Sequence, residues 1–389
     1  MIPRLIEKVI LKRLNSSEKV LLILGARQVG KTTLIKAIQK RLEKKNETII
    51  YLNCDLEEEK GLINTTSLTP LKKLTSGFKF LFIDEIQRLD NPGLTLKIIY
   101  DHLKPVKVLA TGSSSFDLKN KLSDALTGRY LDFTLYPLSF AEIINASSFS
   151  SHKILRKKQA DTLIEDILLY GLYPEIYLQK RPEEKIVFLE KIVESYLFRD
   201  ILAFQKIRHP QAIKDLTSAL SYQIGSEVNE NELASRLKID RKTVVSYLDI
   251  LEKSYVIFRL FPFSRNPRRE IGKKYKIYFL DLGVRNALIG DFNRFSLRRD
   301  AGLLWENFLI LERLKTYASQ GESVKCFFWR SYGGAEVDYL EKHLKDTKLK
   351  AFEIKYKRRS LSRGAKIFSQ NYNQPVKLIT KENYLDFIS

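Results

Sequence analysis

VLLILGARQVGKTTLIKAIQKRL, residues 20–42, decides how the first third of this 389-residue chain folds. Its five leading apolar residues read as a buried strand. The next nine, GARQVGKTT, fit G-x-x-x-x-G-K-[ST], with Gly25, Gly30, Lys31 and Thr32 at the fixed positions. The remainder has helical spacing, so the motif sits between strand and helix, the context in which a glycine-rich turn cradles phosphate. Backbone N–H groups of Gly25, Ala26, Arg27, Gln28, Val29, Gly30, Lys31, Thr32 and Thr33 would surround the anion. Lys31 would place its charge on the β- and γ-phosphates of a nucleoside triphosphate, and the Thr32 hydroxyl would ligate Mg2+.

Moving outward, TIIYL (48–52), FKFLFI (78–83) and VKVLA (106–110) read as further strands, with amphipathic stretches between them. That alternation predicts an α/β fold with a parallel sheet and helices on both faces. FLFIDE ends its strand in Asp84, which would hold Mg2+ mostly through water, and Glu85, which would polarise an attacking water. LATGSSS ends a strand in Thr111 and Ser113, whose hydroxyls could sense the γ-phosphate. Arg129, in LTGRY, is the candidate for the cation that completes the transition-state charge. It would act either in its own chain or in a neighbour within a homo-oligomer. At the N-terminus Ile2, Leu5, Ile6, Val9, Ile10 and Leu14 recur at helical spacing, predicting a helix packed on this core. Glu7 and Lys8 interrupt any signal-peptide core there.

Composition narrows the partners. A formal charge of +21 and a pI near 9.6 favour polyanions, with DNA as the expected partner. The two cysteines, Cys54 and Cys326, are far apart, which argues against a zinc site or disulfide scaffold and suits a reducing cytoplasm. No apolar run is long enough to span a membrane. The acidic run EEEK, beginning at Glu57, is expected to be a solvated loop.

Beyond residue 205 the pattern changes twice. ENELASRLKIDRKTVVSYLDILEKSYVI reads as helix, turn, helix, with Leu233, Ala234, Leu237, Val244, Leu248 and Leu251 facing inward. Arg241, Lys242, Thr243 and Ser246 lie near the start of the second helix, the end that enters a DNA groove in such folds. YVIFRLFPF and KKYKIYFL would form a wing around the basic loop SRNPRREIGKK. In the tail, Glu306 lies in a long helix, Asp338 in AEVDYL, and Glu353 and Lys355 on one face of FEIKY. This acid, acid-x-lysine order resembles the PD-(D/E)xK nuclease core. The resemblance implies Asp338 and Glu353 as metal ligands and Lys355 as the group orienting water, because clustered carboxylates need a cation to ionise together.

The order GARQVGKTT, FLFIDEIQ, ATGSSS, LTGRY and YPLSFAE resembles prokaryotic AAA+-like ATPases that carry a C-terminal domain of unknown function. YGLYPEIY, KIYFLDLGVRNAL, GAEVDYLE and FEIKY extend the likeness over nearly the whole chain. It implies ATP, and no guanine-reading N-K-x-D motif stands in a suitable place. The expected organisation is a P-loop ATPase domain (1–138), a helical lid or linker (139–205), a winged helix (206–280) and an α/β restriction-endonuclease-like domain (281–389). The function expected first is ATP turnover coupled to action on DNA, with metal-dependent cleavage. The second is an ATP-dependent signalling or assembly switch whose tail binds DNA or protein without cleaving. A protein-remodelling ATPase is the third.

Overall fold

A computed structural model describes residues 2–113, 125–147, 149, 152–202, 207, 209–264, 274–343, 349–357 and 360–388. Two compact units result. The first is Met1–Pro137 with Lys253–Tyr255 and Ala318–Gly321; the second is Leu138–Glu252, Val256–Tyr317 and Glu322–Ser389.

The first unit is built on five parallel strands: β1 (Val20–Gly25), β2 (Ile49–Asn53), β3 (Phe80–Asp84), β4 (Lys107–Ser113) and β5 (Tyr130–Thr134). Their spatial order is β2-β3-β4-β1-β5. Every residue of β1 and β3 is buried. This explains why both read as unbroken apolar runs rather than as alternating strands. The register pairs Gly25 with Ser113 and Asn53 with Asp84. The loop after β1, the acid of β3 and the hydroxyls of β4 therefore emerge along one edge. That edge, at the carboxyl ends of parallel strands, is where open α/β sheets bind ligands.

Helices α1 (Ile6–Ser16), α2 (Lys31–Glu43), α3 (Glu57–Ile63), α4 (Leu68–Thr75) and α5 (Pro92–His102) complete the unit. α1 buries Ile6, Ile10 and Leu14, the face its spacing predicts. EEEK departs from its expectation: it opens α3 instead of forming a loop. Glu57, Glu58 and Glu59 occupy the first helical turn, where carboxylates complement the exposed N–H groups and the helix dipole. Pro92 at the start of α5 and Asn91, which accepts from the Leu94 N–H at 3.3 Å, begin that helix.

The second unit begins with helices, among them Phe140–Ala146 and Lys153–Tyr170. Ser139 and Glu142 close a capping box at the first of these. Further on, helices Pro210–Tyr222, Glu230–Leu237 and Arg241–Lys253 precede β6 (Ile257–Pro262) and β7 (Lys276–Phe279). Of the basic loop between these strands, residues 265–273 lie outside the described residues. After the helix Ala301–Gln320 come β8 (Val324–Arg330), β9 (Glu336–His343), β10 (Leu349–Ile354), the helix Arg363–Tyr372 and β11 (Val376–Ile379). All six strands form one sheet, ordered β11-β10-β9-β8-β6-β7. β6 pairs antiparallel with β7 and parallel with β8, so the predicted wing hairpin shares a sheet with the tail strands. A core of Trp329, Val337, Leu340, Ala351, Ala365, Phe368 and Val376 covers one part of that sheet.

Candidate functional site

The loop after β1 is shaped for an anion by its backbone. Gly30, which precedes α2, has φ 96°, and Gln28 has φ 61°. Two left-handed residues within three positions turn successive N–H groups toward one side, the arrangement that makes a nest for phosphate. At Gly25 the limit is space: a Cβ would stand 2.3 Å from the Leu135 carbonyl oxygen. From behind, Arg4 braces the loop, donating to the Val29 carbonyl at 2.7 Å and the Tyr136 carbonyl at 2.6 Å. Lys31, at the first position of α2, is buried and donates to the Gly25 and Ala26 carbonyls at 3.1 and 2.9 Å. Gln28 Oε1 is buried and has no hydrogen-bond partner among the described residues.

Asp84 closes β3 and is fully buried. Its two oxygens are taken by neutral donors from either side: Thr111 Oγ1 of β4 donates to Oδ1, and Tyr51 of β2 donates to Oδ2 at 3.0 Å. Burial and then the Asp84 charge push the Tyr51 phenol above its ordinary range. Burial first, then Asp84, likewise push the nearby Cys54 thiol up to about 12. Glu85 has φ 55°, and its N–H donates to Thr111 Oγ1 at 3.1 Å. Its carboxylate accepts from the Gln87 side chain, whose oxygen accepts from the Ser113 N–H at 3.1 Å. These residues fit a hydrated divalent cation beside a triphosphate. Thr32 follows Lys31 on α2, and both oxygens of Asp84 accept from hydroxyls. Tyr51, Thr111 and Gln87 thus enter the site. Of these, sequence had singled out only Thr111.

Arg129 is placed elsewhere. Its carbonyl accepts from the Val20 N–H at 3.0 Å, at the beginning of β1. The phosphate loop leaves the other end of that strand, about 16 Å away at 3.3 Å per residue. Arg129 is also engaged by Asp101 at 2.9 Å. It is therefore not an element of its own chain's nucleotide site, and only a role in a neighbouring chain remains open to it.

The second unit gathers a different constellation. Asp338 on β9 accepts from the Ile354 N–H at 2.7 Å and from Lys355 at 3.0 Å. Glu353 on β10 accepts from the Ser362 N–H at 2.8 Å and lies 3.4 Å from Lys355. Glu306, on the helix Ala301–Gln320, accepts from Tyr278 at 2.6 Å. Lys276 of β7 stands 3.6 Å from Glu306 and 2.5 Å from Glu336 while only 3% exposed. Sequence reading brought four of these residues forward but missed Lys276 and Tyr278, on a strand with no motif of its own, and Glu336, two residues before Asp338 on β9.

Burial raises the Glu306 carboxyl to about 7, against the pull of Lys276 and with Asp338 adding to the rise. Burial lowers Lys276, yet Glu306, Glu336 and Asp338 together hold it above its usual value. The same balance raises Lys355, through Asp338, Glu353 and Glu306. Among the described residues no three carboxyl, imidazole or thiol groups converge on a point that could hold a metal ion. Lys355 stands 3.0 Å from Asp338 and 3.4 Å from Glu353, so an ammonium group occupies the place between these two carboxylates.

At the expected DNA-reading helix, Arg241 is tied to Glu230 at 2.7 Å, and Thr243 is spent on Asp240 at 2.7 Å. Lys242 is exposed, and Ser246 is half-buried.

Strand order, phosphate loop and acid strand together define a class: the first unit has the architecture of a P-loop nucleotide-binding domain. Residues 17–144 match the family model of an AAA domain. Residues 161–294 and 301–385 match two domains of unknown function (DUF8612 and DUF4143). Relatives include an uncharacterized protein of Mycobacterium tuberculosis, 26% identical over 336 residues, covering 85% of this chain and 69% of the relative. Another, from Methanocaldococcus jannaschii, is 28% identical over 336 residues, covering 83% and 72%. Similar solved structures include AMPPCP-bound DnaA from Aquifex aeolicus, 16% identical with a TM-score of 0.28, covering 63% of this chain and 86% of that one. PCH-2 of C. elegans is also 16% identical, with a TM-score of 0.25, covering 64% of each chain. TM-scores this low assign neither ligand nor partner. Among the described residues no helix is long and apolar enough to cross a membrane.

Proposed function

We propose that this chain binds and hydrolyses ATP with Mg2+ and acts on DNA. The observation that carries it is the alignment of the Lys31 loop, Asp84, Glu85 and Thr111 along one sheet edge, joined by β4 between the two motif-bearing strands. In this reading the loop amides and Lys31 hold the triphosphate, and Thr32 with Asp84 would hold the metal ion. Bound Mg2+ supplies charge that offsets the phosphates. Glu85 orients the attacking water. Gly25–Thr33 form the cradle, and Thr111 and Ser113 lie where γ-phosphate contact is expected. DNA enters as partner through the net charge of +21 and the exposed Lys242, with phosphate contacts dominating.

A second reading concerns the tail. The Lys276 and Lys355 ion pairs favour a unit that binds DNA or protein without cutting, under control of an ATP-dependent switch. The deciding experiment incubates the chain with supercoiled, linear and single-stranded DNA, with Mg2+ or Mn2+, with and without ATP. Lys31→Ala and Asp338→Ala variants run alongside. The expected outcome is ATP hydrolysis lost in Lys31→Ala, DNA binding in the wild type, and intact DNA throughout. Cleavage that disappears in Asp338→Ala would reinstate a metal-dependent nuclease. Failure to bind any DNA at physiological salt would overturn the DNA reading.

A further inference from the structure

Glu85 is restrained from both of its ends by β4. Its N–H donates to the Thr111 hydroxyl at 3.1 Å, while its carboxylate accepts from the Gln87 amide. Gln87 is not free to follow that carboxylate, because its own oxygen accepts from the Ser113 N–H at 3.1 Å. One short 3-10 turn, Ile86–Arg88, carries Gln87, and Ile86 anchors the turn with no exposed surface. Glu85 itself holds a left-handed backbone, φ 55°, a conformation that side-chain-bearing residues keep only when their surroundings over-determine it. Ser113 is also the register partner of Gly25, the first residue of the phosphate loop.

We propose that Gln87 is a positioning residue that restrains the carboxylate of Glu85 and ties its release to the end of β4. The idea rests on the ATPase reading above and deepens it. An amide clamped at both ends occupies one oxygen of the group that must turn its lone pairs toward water. The strand end that meets the γ-phosphate also holds the far side of the clamp. A shift of the Ser113 amide therefore loosens Glu85 without Glu85 touching nucleotide. The chain is thereby a slow ATPase at rest, with hydrolysis governed by whatever moves β4.

The test measures kcat and KM for ATP, with thermal unfolding, for wild type, Gln87→Met, Glu85→Gln and the double variant. Gln87→Met keeps the shape of the side chain and removes both hydrogen bonds. It is expected to raise kcat about tenfold, the scale of one lost hydrogen bond to a charged group, with KM unchanged. Glu85→Gln is expected to abolish turnover, and the double variant to stay equally silent. Should Gln87→Met fail to fold, Gln87→Asn, too short to reach both partners, must give the same rise. A kcat that stays level or falls in a folded variant, with wild-type turnover intact, overturns the restraint alone. If wild type and Gln87→Met both bind ATP and neither hydrolyses it, the ATPase reading falls and takes the restraint with it.

Discussion

Both units gather carboxylates, but they satisfy them by opposite means. In the first, Asp84 accepts from two hydroxyls and the Glu85 carboxylate from the Gln87 amide, all neutral donors. In the second, Asp338, Glu353, Glu306 and Glu336 are met by Lys276 and Lys355. Neutral donors fix a carboxylate's direction and leave its charge available to an incoming cation. An ammonium group uses the charge up, and a buried one is costly to remove once its partners depend on it. The same residue types are thus held by neutral donors in one unit and by ammonium groups in the other.

The largest expected effect probes the first unit. Lys31→Ala should lower kcat for ATP on the order of 10²-fold or more, because a point charge at the developing phosphate charge is lost. Steady-state hydrolysis measures this, and a variant that retains turnover would break the comparison at its first member. Lys276→Met strikes the cluster of the second unit. Leaving Glu306 and Glu336 without their buried partner should cost about 3–5 kcal/mol in urea unfolding at pH 8. A neutral or stabilising result would mean that the lysine is not needed to balance those acids.

Glu306 supplies the pH dependence. Its folded-state carboxyl is raised from 4.5 to about 7, so between those values the folded chain holds a proton that the unfolded chain has lost. Stability from this group therefore falls as pH rises through that window, and the full penalty stands above pH 7. Glu306→Gln, which keeps an oxygen acceptor for Tyr278, should be the more stable at pH 8 by at most about 3 kcal/mol, with the difference vanishing near pH 4.5. Unfolding curves at pH 5, 6.5 and 8 check the sign, and an identical slope in both proteins would assign the proton to another group. The smallest effect returns to the first unit. Tyr51→Phe removes one of two hydroxyls on Asp84 and should raise the Mg2+ concentration for half-maximal hydrolysis a few-fold, near 1 kcal/mol.

The two regions were unequally legible in sequence for the same reason that they differ in design. The phosphate loop announces itself because its geometry is local: Gly25, Gly30, Lys31 and Thr32 are within eight positions, and their spacing carries the fold with it. The apolar runs of β1, β3 and β4 were readable because strands buried on both faces cannot hide polar residues. The edge strand β2 was readable from its apolar run alone, though only Leu52 in it is fully buried. β5, the other edge strand, was not, since Asp132 interrupts its apolar residues, and Arg129 beside it looked like a reactive cation. Lys276 was invisible because nothing in KIYF says that its first residue turns inward toward Glu306 and Glu336, which are 30 and 60 positions later. The same holds for the parallel pairing of β6 with β8, a tertiary choice with no local signature. EEEK misled because charge was taken as a sign of solvation, when in a first helical turn it is a sign of order.

The position of β1 has a consequence for how the chain must be made. Its two neighbours in the sheet are β4 and β5, and neither exists until residue 107 has left the ribosome. β2 and β3 can zip together in the meantime, but VLLILG, the most apolar strand of the unit, has no edge to join. At about 5–20 residues per second the nascent chain carries that bare strand for roughly 4–16 seconds. The strand that launches the phosphate loop is thus synthesised first and sheltered late. On either side of it in sequence lie α1 and α2, which carry their lysines and arginines mostly on exposed or half-buried positions.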